Sequence, residues 1–182
     1  LTVNFSGVNR VYDGTTVAAV SGGSLVGVVT GDTVTLDQIA RYADKQVGTA
    51  KPVTVSGFAA PSANYTITQP SGLTATVAQA TLNVLANADA KLFSTADGTN
   101  FNGVSYAGFV GADTSSVVGG TLVVARSNAA TQAAGTYAGV LQASGLSAQN
   151  YAMNYVGGDF TIVPAGQLRA ARPGVGRQAT GA

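Results

Sequence analysis

Histidine, cysteine, tryptophan and glutamate are all missing from this 182-residue chain, and methionine occurs once. Without cysteine there are no disulfides and no thiolate metal sites. Without histidine, cysteine or glutamate, a Ser-His-Asp or Cys-His arrangement is excluded, and the general bases shrink to Asp and Lys. Charged residues make up only 9% of the chain, and all eight acids are Asp. Helix surfaces draw on Glu, Lys and Arg, so their scarcity argues against helices. The net charge of +1 comes with no dense basic patch, which removes the electrostatic footprint that nucleic acid requires. No apolar run approaches the ~18–20 residues of a membrane-spanning helix. The first residue already lies inside a strand-like pattern with no signal-like segment, so any export signal is expected elsewhere.

What is present is the vocabulary of strands and tight turns: Val, Thr, Ser, Asn, Tyr and 24 Gly, with 46% hydrophobic residues and a mean hydropathy of +0.25. That is enough apolar material to build cores. The chain also repeats itself. Leu1-Thr2-Val3 returns as Leu82-Asn83-Val84, and Ser56-Gly57-Phe58 leading to Asn64-Tyr65-Thr66-Ile67 returns as Ser144-Gly145-Leu146 leading to Asn150-Tyr151-Ala152-Met153. Each half closes on an apolar strand, Leu73 to Val77 in one and Asp159 to Val163 in the other.

Within each half the hydrophobic signal has period two, as a half-buried strand requires. Val53 and Val55, Tyr65 and Ile67, and Leu73, Ala75 and Val77 alternate in the first half. Val104 and Tyr106, Leu122 and Val124, Tyr137, and Phe160 and Ile162 do so in the second. Short strands separated by Gly-, Asn- and Asp-rich turns predict an all-β chain of two tandem immunoglobulin-like sandwiches, over 1–79 and 80–164. Asp37 to Arg41 is the one stretch that reads as a helical turn; it is too short to stand alone and is assigned to strand or connection. Residues 165–182, with Arg169, Arg172 and Arg177, are expected to form a disordered tail.

Four ordered motifs in the first half carry a resemblance. Arg10-Val11-Tyr12-Asp13-Gly14-Thr15-Thr16, Gly27 to Leu36, Ala43 to Thr49 and Asn64-Tyr65-Thr66-Ile67 together resemble the YDG repeat of large bacterial adhesins. The second half, with Tyr106-Ala107-Gly108-Phe109-Val110, Gly135-Thr136-Tyr137 and Gly157 to Ile162, is similar to the MBG module, a mostly bacterial immunoglobulin-like repeat. It departs from the pattern at Lys91 to Thr99, where a tyrosine-containing entry is replaced by Leu92-Phe93-Ser94-Thr95-Ala96-Asp97-Gly98. The resemblance implies a repeat region of a filamentous-haemagglutinin-like adhesin exported by two-partner secretion, at the cell surface or secreted. It supplies no catalytic residue and no ligand.

Read for chemistry, the chain offers turns before sites. Asp13, Asp32, Asp44, Asp97, Asp113 and Asp159 stand beside Gly or in turn-like contexts, where Asp bonds the local backbone. A pair of them converging in a pocket would be needed for glycosidase-like work. The Gly-rich runs lack the Lys-Ser/Thr ending of a phosphate loop. Asn87 and Asp89 are the best-placed calcium candidates, although no loop packs three or more acids; no other metal, cofactor-binding or catalytic residue is assigned. A self-formed isopeptide would have to use Lys45, Lys51 or Lys91 with an Asp in place of the usual catalytic Glu. The seven tyrosines suggest a sugar-stacking platform, but Tyr65 and Tyr151 hold equivalent repeat positions, so a structural duty such as a corner hydroxyl bonding the backbone explains them better. Structural roles therefore fall to Tyr12, Asp13, Gly14, Tyr65 and Tyr151.

The expected function is that of a non-catalytic structural and adhesive repeat, a stalk or presenting module. The expected partners are neighbouring repeat modules and a host or matrix glycan or protein, with no nucleic acid and no membrane span. A carbohydrate- or matrix-binding sandwich is the alternative.

Overall fold

The computed structural model describes residues 1–34, 39–56 and 64–165. Strands dominate, and the one helical element among the described residues is a single 3-10 turn at Ser115–Val117. In chain order the strands of the first half are β1 (Thr2–Val8), β2 (Arg10–Val11), β3 (Val17–Val26), β4 (Ile39–Tyr42), β5 (Gly48–Ser56) and β6 (Thr74–Ala78). Those of the second are β7 (Ala80–Ala86), β8 (Asp89–Leu92), β9 (Val104–Ala107), β10 (Gly119–Arg126), β11 (Gly135–Ser147), β12 (Tyr151–Val156) and β13 (Gly158–Val163).

The two halves share one plan. The first forms a sheet of order β1-β3-β4-β5-β6-β2, and the second forms two, β10-β11-β13-β8 and β12-β7-β9. The run β4-β5-β6-β2 thus recurs as β10-β11-β13-β8, with the second strand of each half parallel to its last: Arg10 opposite Val77, and Ile162 opposite Lys91. The difference lies in β3, which pairs with β4 through Val17–Arg41 and Ala18–Ala40 and so merges into one sheet what the second half keeps as two.

Two stretches fold differently from their sequence signal. Asn64 to Ile67 was expected to be a strand and is not one; it lies along the free edge of β1, where Thr68 forms a single parallel bridge to Thr2 and donates to the Leu1 carbonyl at 2.9 Å. Its counterpart in the second half is the full strand β12, hydrogen-bonded to β7. Of the Asp37 to Arg41 stretch, Ile39 to Arg41 belong to β4, while Asp37 and Gln38 lie outside the described residues, as do 57–63 and all of the expected tail beyond Ala165.

The described chain divides into two compact units. One comprises Leu1–Asn83, Tyr106–Gly120 and Leu146–Asn154; the other comprises Val84–Ser105, Thr121–Gly145 and Tyr155 onward. In the first unit, alternate residues of β4, β5 and β6 point inward, so Ala40, Tyr42, Val53, Val55, Ala75 and Val77 pack with Tyr12, Ala18, Ala80, Leu82 and Tyr151 into one core. Each buried Val or Leu contributes about 1.5–3 kcal/mol. In the second unit Val84, Leu141, Phe160 and Ile162 are buried, and Phe101 meets Phe160 edge-on at 5.4 Å.

That unit also buries a charge. The Arg126 side chain is fully enclosed, 4.8 Å above the Phe160 ring. It donates to Asp97 Oδ2 and to the carbonyls of Thr131 and Ala129, each at 3.0 Å. Asp97 in turn pairs with Lys91 at 2.7 Å. A buried guanidinium is tolerated only when its donors are matched in this way.

In both halves the opening strand passes against the closing one so closely that one partner must be glycine. A Cβ on Gly7 of β1 would overlap the Thr74 carbonyl, and a Cβ on Gly158 of β13 would overlap the Ala86 carbonyl. Backbone cannot retreat as a side chain can. Gly7→Ala is therefore expected to destabilise the chain by about 1–3 kcal/mol, the range for overpacking. Gly98→Ala, where the added methyl meets open space, should leave the urea midpoint unchanged. Equal midpoints for the two variants would refute the assigned crossing.

Candidate functional site

The first unit gathers polar residues around one carboxylate. Val110-Gly111-Ala112-Asp113 forms a turn closed by the Asp113 amide donating to the Val110 carbonyl at 3.1 Å. Tyr151, at the start of β12, accepts from the Val110 amide at 3.0 Å and donates to Asp113 Oδ2 at 2.9 Å. Tyr12, just beyond β2, donates to the same oxygen at 2.8 Å, and Lys45 Nζ reaches Oδ1 at 3.2 Å. The two tyrosine rings meet edge to face at 5.6 Å, with Phe109 set edge-on to Tyr151 at 5.8 Å. Beside this cluster the Val47 amide donates to Asn150 Oδ1 at 3.1 Å, and the Ala80 amide donates to the Asn150 carbonyl at 3.0 Å.

Only 8% of the Asp113 side chain is exposed, and burial alone would raise its pKa. The hydroxyls of Tyr12 and Tyr151 and the Lys45 ammonium outweigh that penalty and hold the carboxyl below its usual range. The reciprocal shifts agree: the Tyr12 hydroxyl and Asp113 push Lys45 up, while burial and the same carboxylate push Tyr151 up. Asp113 is thus held as an anion by three donors, an arrangement that fastens these segments together. The cavity lined by Tyr12, Lys45, Gln46, Asp113 and Asn150 has a volume of about 250 Å³.

The same device occurs 81 positions earlier, where Val29-Thr30-Gly31-Asp32 corresponds to Val110-Gly111-Ala112-Asp113. The Asp32 amide donates to the Val29 carbonyl at 3.0 Å, the Val29 amide donates to the Tyr65 hydroxyl at 3.2 Å, and that hydroxyl donates to Asp32 Oδ2. Both repeat tyrosines therefore do engage backbone through their hydroxyls. Each also clasps an aspartate, which sequence reasoning missed. The shared Val-x-x-Asp spacing was the available signal.

The other candidates serve local structure. Asp13 Oδ1 accepts from the Thr15 amide at 2.9 Å and its hydroxyl at 2.8 Å and pairs with Arg10, and Gly14 follows at φ +77°, a conformation that favours glycine. Asn87 donates to the Asn102 carbonyl at 2.9 Å, and Asp89 accepts from the next amide, that of Ala90, at 2.7 Å. The structure does not draw these two into a calcium cage, and no group of three metal-binding side chains occurs among the described residues. Turn duty describes Asp13 and Asp44, and Asp89 likewise bonds the next amide, but it is corrected for Asp32, Asp97 and Asp113, whose carboxylates bind side chains distant in sequence, and for Asp159 of β13, which accepts from the Gly139 amide at 2.8 Å. Lys45, Lys51 and Lys91 each lie against an aspartate, Asp113, Asp44 and Asp97 in turn. All three carboxyls are held below the usual range, the opposite of the neutral acid that isopeptide condensation needs.

Comparison with known families matches two domains in tandem: a YDG domain over residues 1–72 and an MBG domain (YGX type) over residues 82–161. The Tyr12–Asp113–Tyr151 clasp therefore joins a tyrosine of the YDG domain to an aspartate and a tyrosine of the MBG domain. No curated protein and no solved structure matches the chain.

Removing the Asp113 carboxylate leaves the Tyr12 and Tyr151 hydroxyls without their acceptor, so Asp113→Ala is expected to destabilise the chain by about 1–3 kcal/mol in urea melts. Tyr151→Ala should cost about 3–5 kcal/mol, and the less buried Tyr65→Ala clearly less. Because the folded pKa of Asp113 lies below its unfolded value of 3.8, its contribution is complete above that value and is lost as pH falls through the lower folded one. Wild-type stability should fall more steeply than that of Asp113→Ala between about pH 4 and pH 2; parallel profiles would refute the ionised clasp.

Proposed function

We propose that this tandem of a YDG and an MBG domain is a non-catalytic structural and adhesive segment of a large bacterial surface or secreted adhesin, of the filamentous-haemagglutinin-like, two-partner-secreted kind. It acts as a stalk or presenting region for a binding element carried elsewhere. The observation that carries this reading is the Asp113 clasp, because its buried polar groups are spent on tying residues of the two domains together. None of the seven tyrosines is fully exposed, and three are buried. That distribution favours aromatics used as framework over aromatics offered to a sugar face.

A second reading, glycan or matrix binding, rests on the cavity beside Asp113. At about 250 Å³ it falls short of the roughly 300–1,000 Å³ of small-molecule sites, and the side chains of Tyr12, Lys45, Asp113 and Tyr151 on its wall already bond one another. Single-molecule pulling from the two ends of the full chain tests the structural reading. Asp113→Asn is expected to lower the unfolding force relative to wild type, while a glycan array stays blank for both. An unchanged force distribution, or a glycan signal abolished by the substitution, would overturn it.

A further inference from the structure

The clasp that seats Tyr12 is one mated joint, and the chain carries both halves of a second. The seat consists of a Val-x-x-Asp turn and the tyrosine that closes on it. In Val110, Asp113 and Tyr151 this seat is filled by Tyr12, which is 2% exposed. In Val29, Asp32 and Tyr65 the same hydrogen bonds form, yet Val29 remains 63% exposed, and among the described residues no aromatic of the Tyr12 kind sits there.

The inserting residue is duplicated too. Tyr12 follows β2, and its amide donates to the carbonyl of the last residue of β6, Ala78, at 2.8 Å. Phe93 follows β8, and its amide donates to the carbonyl of the last residue of β13, Val163, at 2.8 Å. The parallel pairings of β2 with β6 and of β8 with β13 place the two aromatics at the same point of the shared plan. Where Tyr12 is buried, Phe93 is 46% exposed, and its neighbour Leu92 is exposed as well.

We propose that Val29, Asp32 and Tyr65 form a docking socket for a second copy of this chain, whose Phe93 inserts against Tyr65 as Tyr12 does against Tyr151. The proposal rests on the structural reading above and gives it a direction, since a socket on one repeat and a plug on the other add copies head to tail. Phenylalanine supplies the ring edge but no hydroxyl, so Asp32 keeps Tyr65 as its donor and the contact is weaker than the one inside the chain. Joined repeats meet at an effective concentration of about millimolar, so separate chains need a comparable concentration to mate.

Sedimentation equilibrium of the full chain up to about 1 mM reads this directly. Wild type should self-associate weakly. Phe93→Tyr, which restores the hydroxyl for Asp32, should associate about tenfold more tightly, the factor one hydrogen bond to a carboxylate confers. Phe93→Ala and Val29→Asp should each be monomeric alone. Both substitutions fall on exposed side chains, and an unchanged melt for each confirms that folding is intact. Mixed, these two variants should also fail to assemble beyond the pairing of one intact plug with one intact socket. A strictly monomeric Phe93→Tyr at 1 mM, or association undiminished by Phe93→Ala, would overturn the proposal. Neither outcome touches the joint inside the chain, which the Asp113 variants test separately.

Discussion

The Asp113 carboxylate is the constraint around which the first unit is arranged. An ion with 8% of its side chain exposed costs several kcal/mol unless its lone pairs are met, and here they are met by three donors. Tyr151 comes from the same domain as Asp113, but Tyr12 and Lys45 come from the other. Neither domain alone can satisfy this charge. The core of the unit has the same division, with Leu82 and Tyr151 packed among residues of β4, β5 and β6. The apolar and polar contacts therefore demand the same closure, and the segments Tyr106–Gly120 and Leu146–Asn154 are held with the first domain by both.

How much of this was legible in the sequence follows from how local each interaction is. The period-two pattern placed Val53, Val55, Ala75, Val77, Phe160 and Ile162 inside, because strand geometry translates alternation into sides without reference to the rest of the chain. The duplication of Asn64-Tyr65 as Asn150-Tyr151 marked two residues of shared duty. What that duty was stayed hidden, since Tyr151 finds its carboxylate 38 positions away and Tyr12 finds it 101 positions away. Asp113 looked like a turn residue and its backbone is in one; the side chain simply points elsewhere. The strand expected at Tyr65 and Ile67 failed for the complementary reason. Alternation reports a buried side, not a ladder partner, and along the edge of β1 the stretch makes a single bridge, Thr68 with Thr2, beside the bond from the Leu1 ammonium to the Thr66 carbonyl.

The two domains keep a common frame while varying the ionic pairs that brace it. A cation on the second strand meets an aspartate after it in both, Arg10 with Asp13 and Lys91 with Asp97. The second domain then adds Arg126, buried on Phe160, where the first has the ring of Tyr42 beneath Arg10 at 5.2 Å. The Ser94-Thr95-Ala96 insertion lengthens the turn between Lys91 and Asp97, yet leaves Phe93 in register with Tyr12. Divergence is thus confined to what fills the frame.

A chain with 9% charged residues, spending Arg10, Lys45, Lys51, Lys91 and Arg126 on internal aspartates, has little long-range field left on its surface. Steering by net charge is then a minor influence on what it meets, because a formal charge of +1 over 182 residues acts weakly beyond the ~8 Å of physiological screening. Within the chain, closure is carried by contact: aromatic edges, matched hydrogen bonds and shape. The joint at Asp113 is built in that way, from two ring edges and three donors. Because the same turn and tyrosine recur at Asp32 and Tyr65, the tyrosine–aspartate half of that joint is present in both domains.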